Sequence, residues 1–313
     1  MKLLLAVDSI TTLNLLLDEV TVRSWPKGTE ALVVSVVESD EIVAGRHEMR
    51  RREEQITALA VERLRANDIA TEVIVMQGDP EELICYASHW WATDLILLRA
   101  NNRVDVRSLM LGSVSRSLVE GAPCSVEVVR VADDRPASRN EGNFRILLAT
   151  DGSAASRTAS QVVAHTTWPN DTEVKVVSVV NPVTYSLAEI GVWRDKGTDR
   201  AHAAIDEAVQ TLKNAPLTIT GEVIAGLTAR GIVDGARDWA ADLIVLGTHD
   251  RRGVRRLMLS SVSASVATRA HCSVRVVRDR IALQNGQSFS RCSKKSRENA
   301  KRLYQSVGFR RAA

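Results

Sequence analysis

Two stretches of this chain are copies of one another, and that repetition constrains the fold more than any other feature. Residues 94–129 read DLILLRANNRVDVRSLMLGSVSRSLVEGAPCSVEVV, and residues 242–277 read DLIVLGTHDRRGVRRLMLSSVSASVATRAHCSVRVV. In register, Leu109-Met110-Leu111 falls on Leu257-Met258-Leu259, Ser113-Val114-Ser115 on Ser261-Val262-Ser263, and Cys124-Ser125-Val126 on Cys272-Ser273-Val274. Each copy runs strand, loop, Ser-rich helix and strand, and the second adds a glycine-bearing loop and a basic helix start. In that order a parallel sheet offers backbone N–H groups to a phosphate beyond its strand ends. At 313 residues the chain has room for two such domains, each with its own core.

The remainder of the chain obeys the same repeat. Residues 2–7 form a short apolar run stopped by Asp8-Ser9, which predicts a buried strand; Leu13, Leu16, Leu17 and Val20 then follow a helical period. Trp25-Pro26-Lys27-Gly28 turns the chain into a valine-rich strand over 31–37. Ile56, Leu59, Ala60 and Leu64 place an amphipathic helix over 45–66, and a strand is predicted over 72–76. Asp79 as N-cap and Pro80 at the first helical position open a helix carrying Leu83, Ile84, Ala87 and Trp90-Trp91. Strands over 94–98 and 125–131, with a helix over 108–120 between them, complete the first copy. The second restarts with a strand over 144–150 and Asp151-Gly152-Ser153, and Trp168-Pro169 and Val176-Val177-Ser178-Val179-Val180 match Trp25-Pro26 and Val33-Val34-Ser35-Val36-Val37. A helix over 195–212, a strand over 219–225, a helix from Thr228 and a strand over 243–246 are predicted to complete it. Domains are expected at 1–132 and 143–279, joined by a polar linker at 133–142 containing Pro136 and followed by a polar tail at 280–313. Alternation of this kind makes the fold class α/β, with two doubly wound parallel five-stranded sheets.

Composition excludes several functions. The formal charge of +3 is small and its basic residues are dispersed, so no nucleic-acid partner is expected. Cys85, Cys124, Cys272 and Cys292 have no metal-ligand spacing and read as reduced thiols, with Cys124 and Cys272 buried at strand starts. Asp8 interrupts the N-terminal apolar run too early for a signal peptide, and no run reaches transmembrane length. A cytoplasmic protein without a membrane partner is the expectation.

With these motifs in view, the chain resembles a tandem universal stress protein. The family pattern is Gly-x2-Gly-x9-Gly-(Ser/Thr) after the fourth strand, with an Asp closing the first. The resemblance implies a fold of the adenine-nucleotide alpha-hydrolase-like (HUP) type and binding of ATP. The Asp would serve the ribose and adenine end, backbone near the end of the second strand the base, and the glycine loop with its hydroxyl the phosphates. It also implies intrachain pairing of the domains through their fifth strands, which would cover exposed backbone, and permits a homodimer.

Carried over to this sequence, the second copy supplies Asp151, Ser153, Val179, Gly247 and Ser261, with Ser260 in place of the third glycine and Asp250 in place of the second. The first copy supplies Asp8, Val36, Gly112 and Ser113, with Arg99 and Asn102 where the first two glycines belong. A carboxylate facing phosphate is repulsive, although Arg251 and Arg252 offset it in part. In the first copy Arg99, Arg103 and Arg107 offer an alternative anion site, because guanidinium matches phosphate geometry. Asp8 and Asp151 have a second reading as helix caps, and the serines as ordinary polar residues of a helix start.

These residues point to a non-enzymatic protein that binds adenine nucleotide weakly or at one site, in the second domain, with no catalytic residue and no metal ligand expected. A nucleotide-independent interaction scaffold is the alternative. Slow ATP hydrolysis finds no Walker lysine and no paired carboxylates to support it. In the tail, residues 299–304 with Gly308-Phe309 resemble a late helix-and-turn signature of GNAT-type acetyltransferases over about fourteen residues, without the pyrophosphate loop those enzymes need.

Overall fold

A computed structural model of the chain describes residues 1–37, 45–100, 111–130, 143–181, 190–248 and 262–278. The linker, the tail, Asn102, Arg103, Arg107, Asp250, Arg251, Arg252, Ser260, Ser261 and Cys292 lie outside the described residues. Two compact units are present: Met1–Arg99 with Gly121–Cys124, and Ala100–Glu120 with Ser125–Asp279.

In the first unit, strands β1 (Lys2–Val7), β2 (Glu30–Val37), β3 (Ala70–Gln77) and β4 (Leu95–Arg99) lie in the order β3-β2-β1-β4, and every pairing is parallel. β1 is central, and Leu3, Leu4 and Leu5 are wholly buried, as expected of a parallel strand covered on both faces. Helix α1 (Ile10–Thr21) buries Leu13, Leu16, Leu17 and Val20, the residues its period singled out. Helix α2 (Gly45–Arg65) buries Ile56, Ala60 and Leu64. Helix α3 (Pro80–Trp90) starts as predicted, with Asp79 accepting from the Glu82 amide at 2.9 Å. Asp94 closes the lower end of the sheet: its carboxylate accepts from the Lys2 amide at 2.7 Å and its own amide donates to the Lys2 carbonyl at 2.8 Å.

The second unit contains helix α4 (Ser113–Gly121, its last residue excepted), β5 (Ser125–Val129), β6 (Arg145–Ala149), α5 (Ala154–His165), β7 (Glu173–Val180), α6 (Ile190–Leu212), β8 (Thr218–Ala225), α7 (Thr228–Asp238), β9 (Leu243–Gly247), α8 (Val262–Arg269) and β10 (Ser273–Val277). Its strand order is β5-β10-β9-β6-β7-β8. β6, like β1, sits where the order reverses, so the crevice of a doubly wound sheet opens beyond its C-terminal end. Phe144, Ile146, Leu148, Ala159, Trp168 and Val245 meet in one aliphatic core with the Phe144–Trp168 stack at its rim. Asp242 repeats the role of Asp94, accepting from the Arg145 amide at 2.8 Å and donating its own amide to the Arg145 carbonyl at 2.8 Å.

Several boundaries differ from the sequence expectation. α6 begins at Ile190 rather than 195, β3 extends over Ala70–Gln77 rather than 72–76, and β5 ends at Val129 rather than 131. Strand pairing accounts for the longer β3, since Ala70 to Gln77 are all in register with Glu30 to Val37.

Among the described residues one pairing is antiparallel: β5 runs against β10, with Val126, Glu127 and Val128 opposite Val276, Arg275 and Val274. At its centre Arg275 Nε donates to Glu127 Oε2 at 2.6 Å, and both side chains are essentially without solvent exposure. Beyond the strand ends, the Arg130 guanidinium donates to the carbonyls of Ala270 at 2.7 Å and Ala267 at 2.6 Å, at the C-terminus of α8. Arg278 does the same for α4 through the Val119 carbonyl. Each cation thereby satisfies carbonyls that the helix itself leaves open, at the negative end of its dipole.

Candidate functional site

The crevice of the second unit is built from the C-terminal ends of β6, β7 and β9. Thr150 continues β6, its amide donating to the Val177 carbonyl at 2.9 Å. Its hydroxyl then accepts from the Gly152 amide at 3.3 Å and lies 3.2 Å from the Ser156 hydroxyl. Gly152 takes a φ of +72°, where glycine is unstrained, and a Cβ there would stand 3.3 Å from Ala204 Cβ of α6. That turn leaves Asp151 exposed at the N-terminus of α5, with one carboxylate oxygen accepting from the Ser153 amide at 3.0 Å. Ser153, not Asp151, is the N-cap of α5, accepting from the Ser156 amide at 3.3 Å.

Gly247 ends β9 beside this turn. A Cβ at Gly247 would stand 2.2 Å from the Ala155 carbonyl oxygen and 2.7 Å from the Ser156 nitrogen, so the first turn of α5 lies directly against its backbone. Thr248 continues β9, its amide donating to the Val277 carbonyl at 3.1 Å and its hydroxyl accepting from Ser263 of α8 at 3.2 Å. Val179 is half-buried near the end of β7 and packs beneath α7, its methyl carbons 3.1 and 3.3 Å from the Cβ position of Gly231. Asp151, Ser153, Val179 and Gly247 thus belong to the C-terminal edge of one sheet in one unit.

The first-copy residues are arranged differently. Asp8 precedes the N-cap Ser9, and one of its carboxylate oxygens accepts from the Thr12 hydroxyl at 2.5 Å and the Ser9 hydroxyl at 3.1 Å. Arg52 donates to the Asp8 carbonyl. No glycine follows Asp8, so α1 begins without the left-handed turn of Gly152. Val36 is half-buried in β2, in register with Met76. Gly112 and Ser113 belong to the other unit, where the Gly112 carbonyl accepts from the Arg116 amide at 2.9 Å and Ser113 opens α4, exposed. The helix-cap reading of the aspartates is therefore corrected in both copies, because the serine that follows each of them takes the N-cap.

Sequence reasoning missed Thr150, Ser156 and Thr248, whose hydroxyls tie the loops together. The run Thr150-Asp151-Gly152-Ser153 carried the signal, since such residues bond their own backbone in tight turns. The clearest titration shifts in this unit fall at the fifth strands instead. Burial, with the Asp242 carboxylate adding to it, pushes the Cys272 thiol up to about 12, and burial lowers Arg130 to about 10. A cleft of about 540 Å³ between β8 and α7, lined in part by Lys175, Glu222, Arg230 and Trp239, contains none of the site residues expected from sequence. Among the described residues no group of three or more His, Cys, Asp or Glu is placed to hold a metal ion, and no helix is long and apolar enough to cross a membrane.

Comparison with known proteins adds the family. The model of the universal stress protein family matches residues 1–130 and again 142–278. A universal stress protein of Methanocaldococcus jannaschii is 31% identical over 146 residues, covering 45% of this chain and 86% of that protein. One from Mycobacterium tuberculosis H37Rv is 26% identical over 204 residues, 59% of this chain and 62% of its own length. The crystal structure of a universal stress protein from Archaeoglobus fulgidus superposes with a TM-score of 0.64 at 19% identity, covering 88% of this chain and 98% of that one, a likeness of fold.

Proposed function

Because the chain belongs to the universal stress protein family, with two family domains in one polypeptide, we propose that it is a non-enzymatic, cytoplasmic stress-response protein whose second domain binds ATP or a related adenine nucleotide. The observation that carries this reading is the Thr150–Ser153 turn. It holds an exposed carboxylate at Asp151 beside a helix N-terminus, at the switch point of a doubly wound sheet. Asp151 takes the ribose end, backbone near Val179 the base, and Ser260 and Ser261 the phosphates. The first domain contributes less, since no glycine turn follows Asp8 and Arg99 replaces the first motif glycine. The two domains, at 1–132 and 143–279, associate within the chain through β5 and β10, a reading supported by the antiparallel pairing of these strands, which leaves other surfaces to a homodimer.

One observation favours the alternative of a nucleotide-independent scaffold. Gly247 is accounted for by its contact with α5, without any ligand. Calorimetric titration with ATP, ADP and AMP separates the readings. Micromolar binding that Asp151→Ala abolishes supports the nucleotide site, whereas no heat at millimolar nucleotide would leave the scaffold. ATP turnover abolished by Asp151→Ala would overturn the non-enzymatic reading.

A further inference from the structure

The two fifth strands sit in nearly identical segments, Cys124-Ser125-Val126-Glu127-Val128-Val129-Arg130 and Cys272-Ser273-Val274-Arg275-Val276-Val277-Arg278, which differ at one position of seven. That position lies at the centre of the antiparallel pair, where Glu127 faces Arg275 across the ladder. The surroundings repeat on both sides. The Arg130 amide donates to the Ser273 hydroxyl at 3.1 Å and the Arg278 amide to the Ser125 hydroxyl at 3.2 Å, while each guanidinium reaches the end of the helix before the opposite strand. The two strands thus repeat the same serine and arginine contacts about their centre, and the residue that differs between them is the charged one at the axis.

We propose that the Glu127–Arg275 pair is a specificity determinant: it directs each half to its unlike half and excludes association of like with like. If β5 met β5 of a second copy in this geometry, two carboxylates would face each other at the axis. β10 against β10 would oppose two guanidinium groups. Both side chains are buried here, with exposures of 0% for Glu127 and 2% for Arg275, so water does not screen such a repulsion. Arg275 is also held at 5.3 Å over the Trp168 ring, which fixes the cation rather than letting it swing away. Flanking valines are equally suited to either partner, so the charge alone distinguishes them. The partner this edge fits is the complementary half-repeat, and surfaces other than β5 and β10 must serve any association between copies.

The inference rests on the proposed association through β5 and β10, and not on nucleotide binding. Its test uses full-length chains carrying Glu127→Arg, Arg275→Glu, or both. Each single reversal places like charges at the axis and is expected to lower the urea midpoint, and the double exchange to restore it. Differently tagged E127R and R275E chains, refolded together, are expected to copurify several-fold more than tagged with untagged wild type, at twice the 34.3 kDa of one chain. In that mixture every pairing between the two chains, of like or of unlike strands, sets Arg against Glu, whereas neither chain can pair its own strands without like charges. Single reversals that leave the midpoint unchanged would remove the β5–β10 association itself. Single reversals that destabilise without rescue by the double exchange, or without copurification above wild type, would leave the association and overturn the charge rule. Where a reversed chain fails to fold alone, the mixture still decides, because only restored complementarity yields a soluble two-chain species.

Discussion

Replacing Gly247 by alanine tests whether the glycine after the fourth strand of the second copy is there for packing. The added Cβ would lie 2.2 Å from the Ala155 carbonyl oxygen, 2.3 Å from its carbon and 2.7 Å from the Ser156 nitrogen. All three are backbone atoms of the first turn of α5, so no rotamer change relieves the contact. Restoring an ordinary separation requires α5 to retreat by roughly 1 Å, which loosens Ala159, wholly buried in the core beneath it. Overpacking of a well-packed core costs about 1–3 kcal/mol, and a clash with backbone puts Gly247→Ala near 3 kcal/mol. With urea m-values of about 1–3 kcal/mol per molar, the midpoint of the second unit falls by roughly 1 M or more. Urea unfolding read by hydrogen exchange in peptides from β6, α5 and β9 isolates that unit from the first. Arg99→Ala is the control: the first copy already carries a Cβ at the matching position, so its cost is expected to stay below about 1 kcal/mol. Stability of Gly247→Ala within about 0.5 kcal/mol of wild type would refute the packing argument and return this glycine to a role in ligand approach.

Ser153→Ala removes the N-cap of α5 and is expected to cost about 1 kcal/mol in urea unfolding, with faster exchange of the Ser156 amide. Arg130→Ala leaves the carbonyls of Ala267 and Ala270 without their donor and is expected to cost about 2 kcal/mol, read as fraying of α8 by hydrogen exchange. The Cys272 thiol, raised from 9.0 to about 12, gives stability that is complete below pH 9 and is lost as pH rises toward 12, because only the unfolded thiol ionises in that window. Arg130, lowered to about 10, acts in the opposite sense as pH rises through that value, so the net decline between pH 9 and 10 is expected to be about 0.7 kcal/mol, and Cys272→Ala removes it.

What the sequence made legible was whatever depends on period and repetition. Leu13, Leu16, Leu17 and Val20 announced α1 because helical spacing and burial are the same signal, and the matched valine runs announced β2 and β7. The belonging of Asp151, Ser153, Val179 and Gly247 to one sheet edge followed from strand alternation. Contacts made only in three dimensions were hidden. Gly247 against Ala155, Asp94 with Lys2, and Arg130 at the end of α8 join residues whose separation along the chain carries no periodic mark. The N-caps of α1 and α5 were left open by short-range competition: Asp8-Ser9 and Asp151-Gly152-Ser153 each offer several side chains able to cap, and the backbone turn decides which one does. The two copies also differ locally. Asp79 caps α3, whereas Leu227 at the matching place gives α7 no side-chain cap.

The charge difference at positions 127 and 275 has an evolutionary reading. On the charge rule proposed above, two halves carrying the same neutral residue at this position would be interchangeable, and either alone could pair with its own copy. Once one half carries a buried carboxylate and the other a buried guanidinium at the axis, a lone half meets its twin with like charge. Under that rule a chain cut down to one half would not pair with its own copy through this edge unless a substitution at position 127 or 275 came first. On that rule the pair would act as a ratchet on gene architecture, set by one residue in each copy.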